Sequence, residues 1–99
     1  MPDAPRYSVY LKPAAERVLK KIPDQTARRR IAKAIDGLTT NPRPPGAIAI
    51  QGGAGLLRIR AGDYRIIYTV EDAALTVLVV TLGHRRDVSW LVEIGRAHV

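Results

Sequence analysis

The segment from Ala74 to Leu82 constrains this fold more than any other. Its centre, LTVLVV, is apolar almost without interruption, so both faces of an extended strand would be apolar there. Such a strand belongs at the centre of a sheet or beneath a layer of helices. Gly83 ends the run, and His84, Arg85 and Arg86 follow at once within GHRRDVSW. Positive charge therefore sits at the tip of the most apolar segment.

The residues upstream supply partners for that strand. Leu56–Ala61 and Tyr64–Val70 are rich in β-formers and flank Gly62-Asp63, a two-residue hairpin turn in which glycine supplies positive φ. In the simplest register Ala61 faces Tyr64, Arg60 faces Arg65 and Arg58 faces Ile67. Directly opposed residues point to the same side of a sheet. Leu57, Ile59, Tyr64, Ile66, Tyr68 and Val70 then share the core face, and Arg58, Arg60 and Arg65 share the other. Further upstream, RYSVYL at 6–11 alternates and reads as a first strand.

Two helices follow it. Pro13 suits a first helical turn, and Ala15, Val18, Leu19 and Ile22 recur at helical spacing, which predicts a helix over 13–22. Pro23 interrupts, Asp24 is an N-cap, and Ala27, Ile31, Ala34, Ile35 and Leu38 form the stripe of a second helix. Asn41-Pro42 stops it. Residues 41–55, NPRPPGAIAIQGGAG, read as a loop, with Ile48 and Ile50 expected to pin it to the core. The predicted fold class is α+β, in the order β-α-α-β-β-β. A two-helix hairpin covers one face of a mainly antiparallel three- to four-stranded sheet, with a further short strand at 87–90.

Composition narrows the function. A chain of 99 residues makes one domain. The absence of cysteine excludes a disulfide framework and a thiol nucleophile. No apolar stretch approaches the roughly 20 residues of a membrane-spanning helix, and no basic-then-apolar N-terminal pattern is present, which predicts a cytoplasmic chain with no membrane partner. No His, Cys or carboxylate cluster has ligand spacing, so neither a metal nor another cofactor is expected. Sixteen Lys+Arg against nine Asp+Glu give a net charge of +7, which suits a polyanionic partner. Lys12, Arg17, Lys20, Lys21, Arg28, Arg29, Arg30 and Lys33 line the predicted helices against only Glu16 and Asp24. A solvated face is the ordinary reading of such charge, but so lopsided a face also steers anions.

The last seven residues, EIGRAHV, translate in frame the start of a widely used short-read sequencing adapter, GAGATCGGAAGAGCACACGTC. Residues 93–99 are therefore read as a non-native tail, the domain as 1–92, and Arg96 and His98 receive no role.

Three arginines on one sheet face repel one another, at a few tenths of a kcal/mol or more for a directly opposed pair. A phosphate backbone offsets that repulsion, because guanidinium forks match phosphate oxygens. His84 can pass a proton and Arg85 can stabilise extra phosphate charge. Those are the parts for metal-free cleavage of RNA by a 2′-hydroxyl on its neighbouring phosphate. A triad of Ser89, His84 and Asp87 is weak by contrast: the spacing is short and no nucleophile elbow precedes the serine.

The stretch LLRIRAGDYRIIYTVEDAALTVLVVTLGHRRDVSW resembles the RelE/ParE superfamily of bacterial type II toxins. An Arg- or Lys-bearing strand, R-x-G-D-Y-R followed by two apolar residues and Tyr, an apolar strand, and then G-H-R-x-x-V-Y carry the likeness. The two helices extend it over residues 6–90. The resemblance implies a RelE-like toxin: a ribosome-dependent endoribonuclease that cuts mRNA in the decoding site and is neutralised by a cognate antitoxin. Its partners would be the antitoxin, the ribosome and mRNA. The implied catalytic set is Arg58, Arg65 and Arg85, with His84 and Ser89. Arg58 would act as a charge-stabilising or general-acid group, and Arg65 and Arg85 would hold the phosphate. The wider basic surface supplies an RNA-binding set of Arg60, Arg86, Trp90, Lys20, Lys21, Arg28, Arg29, Arg30, Lys33 and Arg43. Ser89 stands where the family pattern has tyrosine, a residue that stacks on a base or moves a proton; Trp90 is next to it. The ParE branch inhibits DNA gyrase and generally lacks the RNase residues, so a gyrase inhibitor is the alternative. A non-catalytic ribosome- or RNA-binding member is the third.

Overall fold

The computed structural model describes residues 6–53 and 55–86. Its elements are β1 (Ser8–Leu11), α1 (Pro13–Lys21), α2 (Gln25–Gly37), β2 (Ile48–Ala49), β3 (Leu57–Ala61), β4 (Tyr64–Glu71) and β5 (Thr76–His84). Asp87, Ser89 and Trp90, the strand predicted at 87–90 and the tail at 93–99 lie outside the described residues.

Each element starts for a local reason. Pro13 occupies the first turn of α1, where its missing N–H costs no hydrogen bond. The Asp24 carboxylate accepts from the Thr26 and Ala27 N–H groups at 2.9 and 3.4 Å, capping α2 and contributing about 1 kcal/mol. Gly62 has φ 63° at the first central position of the β3–β4 turn, where a primed hairpin turn favours glycine.

One five-stranded sheet results, in the order β1-β5-β4-β3-β2. β1 runs parallel to β5, the two helices forming the crossover, and the other neighbours are antiparallel. The apolar run is thus an interior strand: β5 lies between β1 and β4, with Val77, Val79 and Leu82 buried. The fifth strand, β2, comes from the predicted loop. It pairs Ile48 with Arg58 and Ala49 with Leu57, and so gives the edge of β3 some of its backbone partners.

Both helices cover the same sheet face, α1 mainly over β5 and α2 over β3 and β4. Ala15, Ile22, Ile31, Ile35 and Leu38 meet Ile59, Ala61, Ile66, Tyr68, Val77, Val79 and Leu82 in one core. Burying each of the larger side chains contributes roughly 1.5–3 kcal/mol. Ile48 does not pin the loop: it is half exposed and lies opposite Arg58 on the uncovered face. Polar contacts hold the loop instead. The buried Tyr68 hydroxyl donates to the Pro42 carbonyl at 2.8 Å, and Arg43 grips Asp72.

β5 contains one irregularity that decides the site. Ile67 pairs with Thr81 and Tyr68 pairs with Val79, leaving Val80 as an extra residue in a β-bulge. Before the bulge, Val77 and Val79 face the helices with Val70 and Tyr68. After it, the alternation has slipped by one, and Leu82 and His84 face the helices with Ile66 and Tyr64. Thr81 and Gly83 take the face turned away from the helices, where Ile67 and Gly83 are nonetheless buried.

Candidate functional site

The hairpin register is the one the sequence predicts: Ala61 opposite Tyr64, Arg60 opposite Arg65, Arg58 opposite Ile67. Arg58, Arg60 and Arg65 accordingly rise from the face that the helices leave bare. Arg58 and Arg65 are half-buried and Arg60 is exposed. Gly83 pairs with Arg65 on its other side and contributes no side chain to that face. Among the described residues none of these three arginines forms an ion pair. The acid on the same face of β4, Glu71, lies six residues from Arg65, roughly 20 Å along the strand.

Arg65 carries the clearest sign of a missing acceptor. Its Nε is buried and has no hydrogen-bond partner among the described residues. An unmatched buried donor costs about 1–3 kcal/mol, and more for a charged group. A phosphate oxygen beside Arg65 would remove that cost and the Arg60–Arg65 repulsion together.

Arg85 joins this end of the sheet through Asp63. The Arg85 N–H donates to the Asp63 carbonyl at 2.7 Å, and its Nε lies 3.3 Å from Asp63 Oδ1. An exposed pair of this kind contributes less than about 1 kcal/mol, so an incoming phosphate can compete for the guanidinium. In the sequence Asp63 carries only a turn signal; the Tyr64–His84 pairing places it next to residue 85 and makes it part of the site. Arg86 is exposed beside Arg85.

His84 is not with the arginines. The bulge turns it to the helix-covered side, where its ring meets the Tyr64 ring edge-on, centroids 5.3 Å apart at 84°. There it lines a cavity of about 190 Å³ with Asp24, Thr26, Ala27 and Arg30 of the α2 end, and Ala61, Gly62, Asp63 and Tyr64 of the hairpin. Its Nδ1 accepts the Arg86 N–H at 3.1 Å. The sequence grouped His84 with the catalytic arginines by proximity in the chain; the sheet separates them by facing direction.

The helical cations also lie on the covered side. Lys20 pairs with Glu16 at 2.9 Å. Lys21, Arg29 and Arg30 are exposed on the helices and Arg28 is half-buried. A methyl group on Gly62 would lie 3.3 Å from Arg30 Nη1, so Arg30 lies over the hairpin turn. Lys33 lines a groove of about 400 Å³ with Arg60 at the β3 edge.

Arg43 belongs to the opposite end of the molecule. Its guanidinium makes a bidentate pair with Asp72, both contacts 3.0 Å, and Tyr7 donates to the same carboxylate at 2.7 Å. Hydrogen bonds from Arg43 and Tyr7 hold the Asp72 carboxyl below its usual range. The hydrogen bond to Asp72 pushes the Tyr7 phenol up. Burial pushes the Tyr68 phenol up, against the opposing charge of Arg43. The pair is about as exposed as Arg85–Asp63, but Arg43 spends both arms of its fork on one carboxylate, which leaves it less available to RNA than the arginines of the other end.

Comparison with known proteins agrees with this architecture. The sequence matches, over residues 9–88, the family described as the ParE toxin of type II toxin–antitoxin systems, parDE. Toxin RelG of Mycobacterium tuberculosis is 29% identical over 82 residues, covering 83% of this chain and 94% of that protein. Toxin RelE of the same organism is 28% identical over 85 residues, covering 86% of this chain and 88% of its own. Among solved structures, the archaeal RelE–RelB complex from Pyrococcus horikoshii superposes with a TM-score of 0.71 at 28% identity, covering 83% of this chain and 98% of that one. A double arginine-to-alanine variant of Escherichia coli toxin RelE, in the free state, gives a TM-score of 0.74 over 95% of this chain and 98% of its own, at 21% identity. That last likeness speaks for the fold alone. The family match spans most of the chain, and with the β-α-α-β-β-β-β order and the basic hairpin face in place the chain belongs to the ParE toxin family of type II toxin–antitoxin systems, within the RelE/ParE superfamily.

Proposed function

We propose that this toxin is a ribosome-dependent endoribonuclease that cleaves mRNA through the arginine face. The observation that carries the reading is the buried Arg65 Nε, without a partner among the described residues, beside two further arginines that form no ion pair among them. In the reaction the 2′-hydroxyl oxygen attacks the adjacent phosphorus and the 5′-oxygen leaves, giving a 2′,3′-cyclic phosphate and a 5′-hydroxyl. Arg65 and Arg85 hold the non-bridging oxygens as charge builds on them, and Arg58 stabilises the charge spreading toward the leaving oxygen. A guanidinium stays protonated, so the arginines cannot take the 2′-hydroxyl proton. The 2′-hydroxyl proton passes to solvent water and the departing 5′-oxygen takes a proton back from it; Ser89, in the position of the family's tyrosine, is too weak a base to do more than hydrogen-bond along that path, with Trp90 to stack on a nucleobase. Arg60 and Arg86 extend the phosphate track. Lys20, Lys21, Arg28, Arg29, Arg30 and Lys33 meet ribosomal RNA on the other side of the protein. Arg43 has no part in it.

A cognate antitoxin is the second partner. Relatives of known structure include the RelBE2 toxin–antitoxin complex of M. tuberculosis and the P. horikoshii RelE–RelB complex. An acidic antitoxin segment over the uncovered sheet face would supply the missing acceptors. The reaction takes place where ribosomes are, in the cytoplasm.

The test is cleavage of a defined mRNA on programmed ribosomes, with and without a 2′-deoxy nucleotide at the cut site. Cleavage of the all-ribose message alone supports the reading; an intact message on toxin-bound ribosomes refutes it and leaves a ribosome-binding protein that cuts nothing. The ParE family match and Ser89 favour one other reading, inhibition of DNA gyrase by a protein that hydrolyses nothing. Gyrase-dependent DNA breaks with intact mRNA would select it.

A further inference from the structure

We propose that His84 is a positioning residue, whose Nδ1 folds the Arg85–Arg86 turn and so sets two cations of the basic end. Its consequence for cleavage rests on the nuclease reading; the positioning itself rests on geometry.

The bulge at Val80 aims His84 away from the arginine face, toward the Tyr64 ring. Two consecutive amides are then anchored. The Arg85 N–H donates across to the Asp63 carbonyl at 2.7 Å, and the Arg86 N–H donates back to His84 Nδ1 at 3.1 Å. The second bond closes a side-chain-to-backbone ring of i→i+2 type, the topology that asparagine and aspartate use in turns. It requires Nδ1 without a hydrogen, hence a neutral imidazole protonated at Nε2. The Tyr64 ring braces the imidazole edge-on. The titratable and charged groups around it are Asp24 and Arg30 from α2, Asp63 from the hairpin turn, Tyr64 from β4, and Arg85 and Arg86 from its own segment. Without the Nδ1 acceptor the turn opens, and Arg85 and Arg86 lose their fixed directions.

Two variants separate positioning from packing. His84→Asn keeps an i→i+2 acceptor and removes the ring; His84→Phe keeps the ring and removes the acceptor. The readouts are the exchange protection of the Arg86 amide, affinity for a short single-stranded RNA oligonucleotide, and cleavage on programmed ribosomes. His84→Asn is expected to retain Arg86 protection and RNA affinity within about twofold, while His84→Phe loses the protection and binds RNA about tenfold more weakly, the equivalent of about 1.4 kcal/mol. In the wild type an NMR coupling across the hydrogen bond from the Arg86 N–H to His84 Nδ1 is expected, and it decides the question should a variant fail to fold. No such coupling in the wild type, full protection in His84→Phe, or equal losses in both variants would overturn the proposal. A wild type that leaves ribosome-bound mRNA intact defeats the nuclease reading alone, because Arg86 exchange still decides the role of His84.

Discussion

The two ends of the sheet use arginine in opposite ways. At one end Arg43 is held by both oxygens of Asp72, which also accepts from Tyr7, while Tyr68 closes the loop onto Pro42. At the other, Arg58, Arg60 and Arg65 share a face among described residues that offer them no ion pair, and Arg65 keeps a buried donor unmatched. Residue type is the same at both ends; satisfaction is not. A paired cation stabilises the fold it sits in, whereas a cluster of unpaired cations costs stability until an anion arrives. The contrast separates a structural arginine from a functional one better than position in the sequence can.

The largest expected effect comes from emptying the unsatisfied end. Replacing Arg65 and Arg85 together by alanine should lower cleavage on programmed ribosomes by at least about 10²–10³-fold, the usual loss for transition-state charge donors, and relieve growth arrest. Arg43→Ala should leave cleavage within about twofold and lower the melting temperature instead. The opposite pattern would break the comparison. Ser89→Tyr sharpens it from the gain side, with cleavage rising by about an order of magnitude if a proton acceptor is the weak part of this copy.

Smaller effects lie at the paired end. Tyr68→Phe leaves the Pro42 carbonyl without its buried donor and should cost about 1–2 kcal/mol in urea unfolding, with cleavage unchanged. The pH dependence has a defined sign. Asp72 is lowered in the native state, so its contribution is complete above the ordinary aspartate range near about 4 and is lost as pH falls through the native value. Tyr7 and Tyr68 are raised, so theirs is complete below about 10 and is lost as pH climbs past it. An unfolding series against pH should show both limbs, and Asp72→Asn should lose the acid one. The smallest change is Asp63→Asn. It removes an exposed ion pair but keeps the Arg85 backbone bond to the Asp63 carbonyl, and should shift stability by less than about 1 kcal/mol.

Much of this was legible before any coordinates. The Gly62-Asp63 turn and the period of two around it place Arg58, Arg60 and Arg65 on one face, and the structure has that register residue for residue. The apolar run from Ala74 to Leu82 called for an interior strand, and β5 is one. Local rules suffice there, because turn geometry and alternation act over a few residues. Ile48 misled because an apolar residue in a loop looks like an anchor, while the actual anchors are a proline carbonyl and an arginine whose partners lie 26 and 29 residues away.

The amino-acid sequence alone determined the two helices, the strands other than β2, the hairpin register, the family resemblance and the excess of positive charge, all consequences of short-range pattern and composition. Tertiary structure decided which cations are spent on the fold and which way Gly83 and His84 face. A single extra residue at Val80 shifts the alternation of β5 by one, turning His84 toward the helices and leaving Gly83 beside Arg65. No local propensity in LTVLVV marks that bulge, since valine and leucine suit either side of the strand. It exists only in the pairing of β5 with β4, and the roles open to His84 follow from it.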